Sequence, residues 1–239
     1  MERVAEAHAE DLTYLRGLLV KHDIPASVCI KLMHIHFHLN QGEVLVVREL
    51  DASPYGKTPF LEPVMPDAIG QVYGCNYIVD DSGDLQAFEY TTIKSDDVDL
   101  AAYPAFVSDF CTAVVRRGVQ HKFGLAINSG AAKSGSWTEL DFPEKRATFL
   151  LPDHVPLPQN DRLVWRRTIT KFSRPTNDKS EHPEGRHGHA EHYWGGRTDV
   201  DGESPVDGVM SKNGLHLTGV PLEPGTAFYT VASAIAAAG

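Results

Sequence analysis

Lys31-Leu32-Met33-His34-Ile35-His36-Phe37-His38-Leu39 alternates apolar and imidazole side chains over its last seven residues. A period of two is that of a β-strand, whose successive side chains leave on opposite faces. One face is then expected to bury Met33, Ile35, Phe37 and Leu39, and the other to present three imidazoles about 6–7 Å apart. Neighbouring imidazoles on a strand can converge on one metal ion, with nitrogens about 2.0–2.1 Å from zinc. His34 and His36 are therefore candidate ligands, with His38, nearest the strand end, the weakest of the three. A solvated strand face with polar residues gives the same pattern.

Upstream, Ala9 to Lys21 reads as an amphipathic helix through Leu12, Leu15 and Leu19, broken by Pro25. Downstream, Asn40-Gln41-Gly42 turns the chain into a strand over Glu43 to Leu50, which predicts a hairpin with the histidine-rich strand. Residues 51–70 hold Pro54, Gly56, Pro59, Pro63 and Pro66 and read as a long loop. A second hairpin joins Cys75-Asn76-Tyr77-Ile78-Val79 to Leu85-Gln86-Ala87-Phe88-Glu89-Tyr90-Thr91-Thr92 across the turn Asp80 to Asp84. It places Cys75 opposite or diagonal to Glu89. Another helix starts at Pro104, carries Phe106, Val107, Phe110, Cys111, Val114 and Val115 as its apolar stripe, and ends at Gly118.

Further strands are expected over Lys122 to Ile127, Trp137 to Phe142, Ala147 to Leu151 and Leu163 to Phe172. A last pair lies near Leu215 to Val220 and Ala227 to Val231. Residues 174–209 lack periodicity and read as a long excursion or lid. Strands dominate without a β-α-β rhythm. The class is α+β, a single domain over 1–239 with a mostly antiparallel curved sheet, open-barrel or sandwich-like, and two or three helices.

Composition narrows the function classes. The chain has 239 residues, 42% of them hydrophobic and 23% charged, ordinary for a soluble domain. Twenty-two basic against 32 acidic residues give a net charge of −10. That balance, without a basic stripe, argues against nucleic acid as a partner. No window is apolar enough to span a membrane, and the acidic start lacks the core of a secretory signal, so a cytoplasmic protein is expected. The oligomeric state stays open. Three scattered cysteines suit free thiols or metal ligands better than a disulfide framework.

Cys75, Cys111 and His121 form a second candidate metal set, since thiolate and imidazole together favour zinc. Each also has a plain structural reading: Cys111 as a buried thiol on its helix stripe, His121 beside a helix end, Cys75 as strand packing. Glu89 lies among Ala87, Phe88 and Tyr90, and a carboxylate in such a strand more commonly faces water. If it faces inward, desolvation makes it a usable acid or base. Glu139 and Asp141 alternate on one strand, where a polar outer face is the ordinary alternative. His187, His189 and His192 make a rival cluster within the excursion, where Tyr193 and Trp194 suit a lid over an aromatic ligand. The G-x-S-x-G, P-loop, dinucleotide and H-E-x-x-H signatures are missing, and the cupin pattern fails because Glu43 falls too far downstream of His36.

Four segments carry a resemblance: Lys31 to Phe37, Leu85 to Thr91, Gly118 to Leu125, and Trp137-Thr138-Glu139-Leu140-Asp141-Phe142-Pro143-Glu144-Lys145-Arg146. Across about residues 10 to 172 the chain resembles the small fungal protein family that contains the cyclopenases, zinc-dependent enzymes of quinolone alkaloid biosynthesis. The resemblance implies a lyase that contracts a cyclopenin-type benzodiazepinedione epoxide to a viridicatin-type quinolone with loss of methyl isocyanate. Zinc would act as a Lewis acid on a substrate oxygen, and Glu89 and Asp141 would serve proton transfer. The ligand set stays open among Cys75, Cys111, His121, His34 and His36, since a tetrahedral ion cannot take all five. Two other readings stand beside it: a non-enzymatic small-molecule binder, and a non-heme metal oxygenase built on His34 and His36.

Overall fold

The structure, a computed structural model, describes residues 4–33, 38–51, 56–95, 98–128, 137–142, 146–152, 163–169, 171–175, 191–197, 208–211, 214–217, 220–221 and 233. The fold is α+β with a curved, mostly antiparallel sheet. The chain divides into two compact units, each assembled from three stretches. The first takes Met1–Ile35, Asp67–Ser134 and Ile169–His189, and the second His36–Pro66, Gly135–Thr168 and Ala190–Gly239.

The first unit holds the helices. After a short turn, α1 (Val4–Ala7), the amphipathic helix α2 runs Ala9–Lys21 and buries Leu12, Leu15, Leu18 and Leu19. It stops where Asp23 takes a positive φ of 48° ahead of Ile24 and Pro25. Helix α3 (Pro104–Arg116) opens on its proline and buries Phe106, Phe110, Cys111, Ala113 and Val114. Gly118, at φ +63°, turns the chain away from its end. Val115 leaves the expected stripe and is 42% exposed. It lies nine residues after Phe106, half a turn around the helix, so it points away from the buried side.

Five strands of this unit are hydrogen-bonded in the order β10-β1-β6-β4-β5, namely Lys171–Phe172, Val28–Leu32, Phe123–Ile127, Tyr73–Val79 and Leu85–Thr91. Every pairing among them is antiparallel. Val28, Ile30 and Leu32 of β1, with Phe123, Leu125 and Ile127 of β6, join the leucines of α2 and the phenylalanines of α3 in one apolar cluster. This burial is the main force holding the unit together, at about 25 cal/mol per Å² of apolar surface.

The described part of the opening stretch departs from its expected pairing. The strand is Val28–Leu32 and all five of its residues are buried, so both faces are covered and alternation does not mark its inner side. Its partners are β6 and β10, not the strand that follows it. Residues 34–37, with His34 and His36, lie outside the described residues. His38 is exposed, and its carbonyl accepts a hydrogen bond from Arg146 at 2.7 Å.

In the second unit, β2 (Val44–Asp51) pairs along its whole length with β3 (Lys57–Val64), which falls inside the segment expected to be a loop. Two prolines hid this strand. Pro59 and Pro63 lack a donor, and on the flank away from β2 the register with β8 (Ala147–Pro152) runs through Phe60 and Leu61. Among the described residues that flank has no ladder at either proline, where a missing N–H is tolerated. Within this unit the order is β2-β3-β8-β7, with β7 at Trp137–Phe142. Smaller sheets pair β9 (Leu163–Ile169) with β11 (Glu191–Arg197), and β12 (Gly208–Ser211) with β13 (Gly214–Leu217) and β14 (Val220–Pro221). Strand β11 thus occupies part of the tract read as an excursion, and its Tyr193 and Trp194 suit a strand. The strand expected over 227–231 lies outside the described residues. Among the described residues no helix is long and apolar enough to cross a membrane.

Glu43, just before β2, accepts from both Arg146 guanidinium nitrogens at 2.8 and 2.6 Å and from the Asn40 backbone at 2.7 Å. Arg146 first, and the Asn40 backbone second, hold its carboxyl down at about 2. A depressed carboxylate contributes stability that is present above its ordinary value of 4.5 and is lost as pH falls toward about 2. Urea midpoints measured from about pH 7 to about pH 2 should therefore fall less steeply for Glu43→Gln than for the native chain. Parallel curves would show that this contact is not populated in solution.

Candidate functional site

The face of the first unit's sheet turned away from the helices carries polar residues, yet it is buried. Alternation sets this up. Cys29 and Lys31 leave β1 between the apolar Val28, Ile30 and Leu32, and Gly124 and Ala126 do the same on β6. The register aligns them into two rows: Lys171, Lys31 and Gly124, then Cys29, Ala126, Asn76 and Glu89. Small residues in the middle strand leave room for longer neighbours. A Cβ on Gly124 would lie 2.1 Å from the Tyr77 carbonyl oxygen, so only glycine fits there.

Glu89 faces inward, as desolvation-tuned chemistry requires, and a pair of irregularities puts it there. Gly74 pairs with Tyr90, Asn76 with Glu89 and Tyr77 with Ala87. Cys75 is thus an extra residue on β4 and Phe88 an extra residue on β5. Such bulges re-aim side chains and recur beside active sites. Between them Cys75 and Asn76 are both buried, and the two register shifts set Asn76 opposite Glu89.

The resulting group is tight. Lys31 is 4% exposed and Glu89 2%. The Lys31 ammonium donates to Glu89 Oε2 at 2.9 Å, and the Asn76 amide nitrogen donates to the same oxygen. The Lys31 ammonium also sits 5.4 Å from the centre of the Phe88 ring. Asn76 Oδ1 is buried and has no hydrogen-bond partner among the described residues. An orphaned buried acceptor costs about 1–3 kcal/mol and marks a position where a bound molecule can supply the donor. Beside this group, Lys171 donates to Asn128 Oδ1 at 3.0 Å, and the Asn128 amide nitrogen reaches Cys29 Sγ at 3.7 Å.

Burial, and then the negative charge of Glu89, push the Cys75 thiol up to about 12. Burial raises Cys29 as well. Both stay protonated at neutral pH in these surroundings. Cys111 belongs elsewhere: burial and the nearby Asp84 and Asp80 raise its thiol, and it lines an open groove of about 850 Å³ along α3 with Leu100, Pro104, Val107, Asp81 and Asp84. His121 is at the surface, its side chain 77% exposed and 3.6 Å from Asp81.

Cys75, Cys111 and His121 are therefore not gathered around one point. A zinc site needs ligand atoms about 2.0–2.3 Å from the ion, and among the described residues no three His, Cys, Asp or Glu side chains are grouped to hold a metal. Glu139 and Asp141 lie on β7, in register with Leu150 and Thr148. His192 is on β11, whereas His187 and His189 lie outside the described residues.

Sequence reasoning found Glu89 and its proximity to Cys75, but missed Lys31, Asn76, Asn128 and Lys171. One signal was available: Lys31 is the sole charge in the apolar run Val28-Cys29-Ile30-Lys31-Leu32-Met33, and a lysine there must be paired. Comparison of the chain with protein-family models, with curated proteins and with solved structures finds no match.

Proposed function

We propose that the chain is an enzyme that transfers protons on a small organic molecule at the Lys31–Glu89–Asn76 group. The observation that carries this reading is a buried ion pair beside the orphaned Asn76 Oδ1. A sheet face built only for stability would be apolar, because burying charge costs more than packing hydrophobes of the same volume. Glu89 takes or returns a proton, Lys31 donates to a developing oxyanion, and Asn76 Oδ1 accepts from a substrate N–H or O–H.

The choice of reaction comes from the sequence resemblance: a ring-contracting lyase acting on a cyclopenin-type benzodiazepinedione epoxide. Such a substrate offers an epoxide oxygen for Lys31 and an amide N–H for Asn76. Opening of the epoxide, attack by the aryl carbon and expulsion of methyl isocyanate require a proton to be delivered and another removed, which is within the reach of Glu89. Cys75, Cys111 and His121 do not fit zinc, so a metal in this enzyme would be held by another set, with His34 and His36, or the rival cluster His187, His189 and His192, as candidates from the sequence.

Incubating the purified chain with the epoxide and following products by mass spectrometry tests the reading. The expected result is a viridicatin-type quinolone forming well above the enzyme-free rate. Unchanged epoxide, with the chain folded and zinc supplied, overturns the choice of reaction. A second reading, small-molecule binding without chemistry, is favoured by the groove along α3 with its apolar wall and acidic rim.

A further inference from the structure

We propose that the groove along α3 binds organic ammonium ions, with the cationic head beside Asp84 at the C-terminal end of the helix and the apolar tail running back toward Pro104. The proposal rests on the second reading given above, binding in this groove, and names the class of molecule bound. It is independent of proton transfer at Glu89.

Three elements supply the apolar lining. Helix α3 contributes Pro104, Val107 and Val115, strand β5 contributes Leu85, and the helical turn before α3 contributes Leu100. Leu85 and Val107 are only partly buried against the core beneath them, and Val115 stays exposed, so apolar surface is left for a ligand to cover. A cavity of about 850 Å³ is of the size that small organic molecules fill. At about 1.5 Å per residue, roughly 16 Å of helix separate Val115 from Pro104, enough for a tail to lie along it.

Charge selects the occupant and its direction. Asp81, Asp84 and Asp99 line the groove, and among the described residues Arg116 is the one lysine or arginine that does. Asp99 accepts from the Ala101 backbone at 2.9 Å, and Asp81 has His121 at 3.6 Å. The Asp84 carboxylate has no hydrogen bond or ion pair among the described residues. A Cβ on Gly83 would stand 3.6 Å from Val115 Cγ2, so the turn carrying Asp81 and Asp84 lies against the last turns of α3. That end of a helix is the negative end of its dipole, which favours a cation and opposes an anion. Two carboxylates and a helix end thus act on the same place. Their field reaches the floor: burial first, and then Asp84 and Asp80, raise the Cys111 thiol.

The test uses the full chain, isotope-labelled for amide NMR, and three probes that share one tail: phenylbutylammonium, phenylbutanol and phenylbutanoate. Titrations near neutral pH and at low salt give both the place and the affinity of binding. The ammonium should shift the amides of Asp81, Asp84, Val107 and Val115 and bind about fivefold tighter than the alcohol, the scale of one exposed ion pair. The carboxylate should bind weakest. Asp81→Asn with Asp84→Asn, both exposed and outside the core, should bring the ammonium down to the affinity of the alcohol and leave the alcohol unchanged. Added salt should do the same to the native chain. Equal binding of ammonium and alcohol by the native chain overturns the proposal while keeping the groove as a binding site. No shift at these amides with any probe overturns binding in the groove as well. Neither result bears on epoxide turnover, so the lyase reading stands or falls separately.

Discussion

Glu89→Gln is expected to lower turnover of the epoxide by about 10²–10⁴-fold, the range for removing a general acid or base. Glutamine keeps the shape of the side chain and can still receive hydrogen bonds from Lys31 and Asn76 at its carbonyl oxygen, so the loss would come from the missing titratable oxygen and its charge. If Glu89 acts in the transition state, kcat falls while KM changes little, and kcat and kcat/KM drop together. The substitution also strips Lys31 of its counter-charge, so the folded fraction has to be measured beside the rate. A variant that is folded and turns over at the native rate would leave Glu89 with a purely structural role.

Lys31→Met carries the largest expected loss of stability. Methionine follows the lysine stem along the same path but takes the ammonium away from Glu89, whose carboxylate stays buried beside the Asn76 amide. Breaking a buried pair by removing one partner costs about 3–5 kcal/mol, a large share of the total for a domain with roughly 5–15 kcal/mol in hand. Urea unfolding reads this directly. Removing both charges at once, as Lys31→Met with Glu89→Leu, should recover most of that loss, because an apolar pair of similar volume incurs no desolvation cost. A single-variant cost below about 1 kcal/mol would mean that the pair is solvated and that the inner face is not the low-dielectric site described above.

What was legible in the chain follows from which forces are local. Helices α2 and α3 were readable because Leu12, Leu15 and Leu19, and Phe106, Phe110 and Val114, repeat at helical spacing and end at Pro25 and Gly118. The β4–β5 hairpin was readable from its turn, where Asp80 Oδ1 accepts from the Ser82 and Asp84 backbone and Gly83 takes φ +88°. Strand β3 was not, because the neighbours that make prolines tolerable are set by the sheet and not by the segment. The hairpin expected between the histidine stretch and the strand after it was not built, for a related reason: pairing is chosen by the whole sheet, and Val28–Leu32 ends before the histidines and pairs with β6 and β10.

The candidate site divides the same way. Glu89 could be found because a carboxylate in an aromatic strand is locally conspicuous. Asn76 could not, because its burial depends on two compensating bulges that shift parity by one residue on each strand. Lys171 lies 140 positions from Lys31 in the chain, and only the register between β10 and β1 makes them partners. Cys75, Cys111 and His121 were grouped by chemical type, and type alone does not bring a strand, a helix and a surface turn to one point.

The claim on which the rest depends is that the charges of the inner face are there for chemistry, and stability and turnover of the Lys31→Met/Glu89→Leu double variant test it together. The expected result is a protein at least about as stable as the native chain whose turnover is reduced by about 10²-fold or more. A double variant that is stable and still converts the epoxide at the native rate would contradict the account.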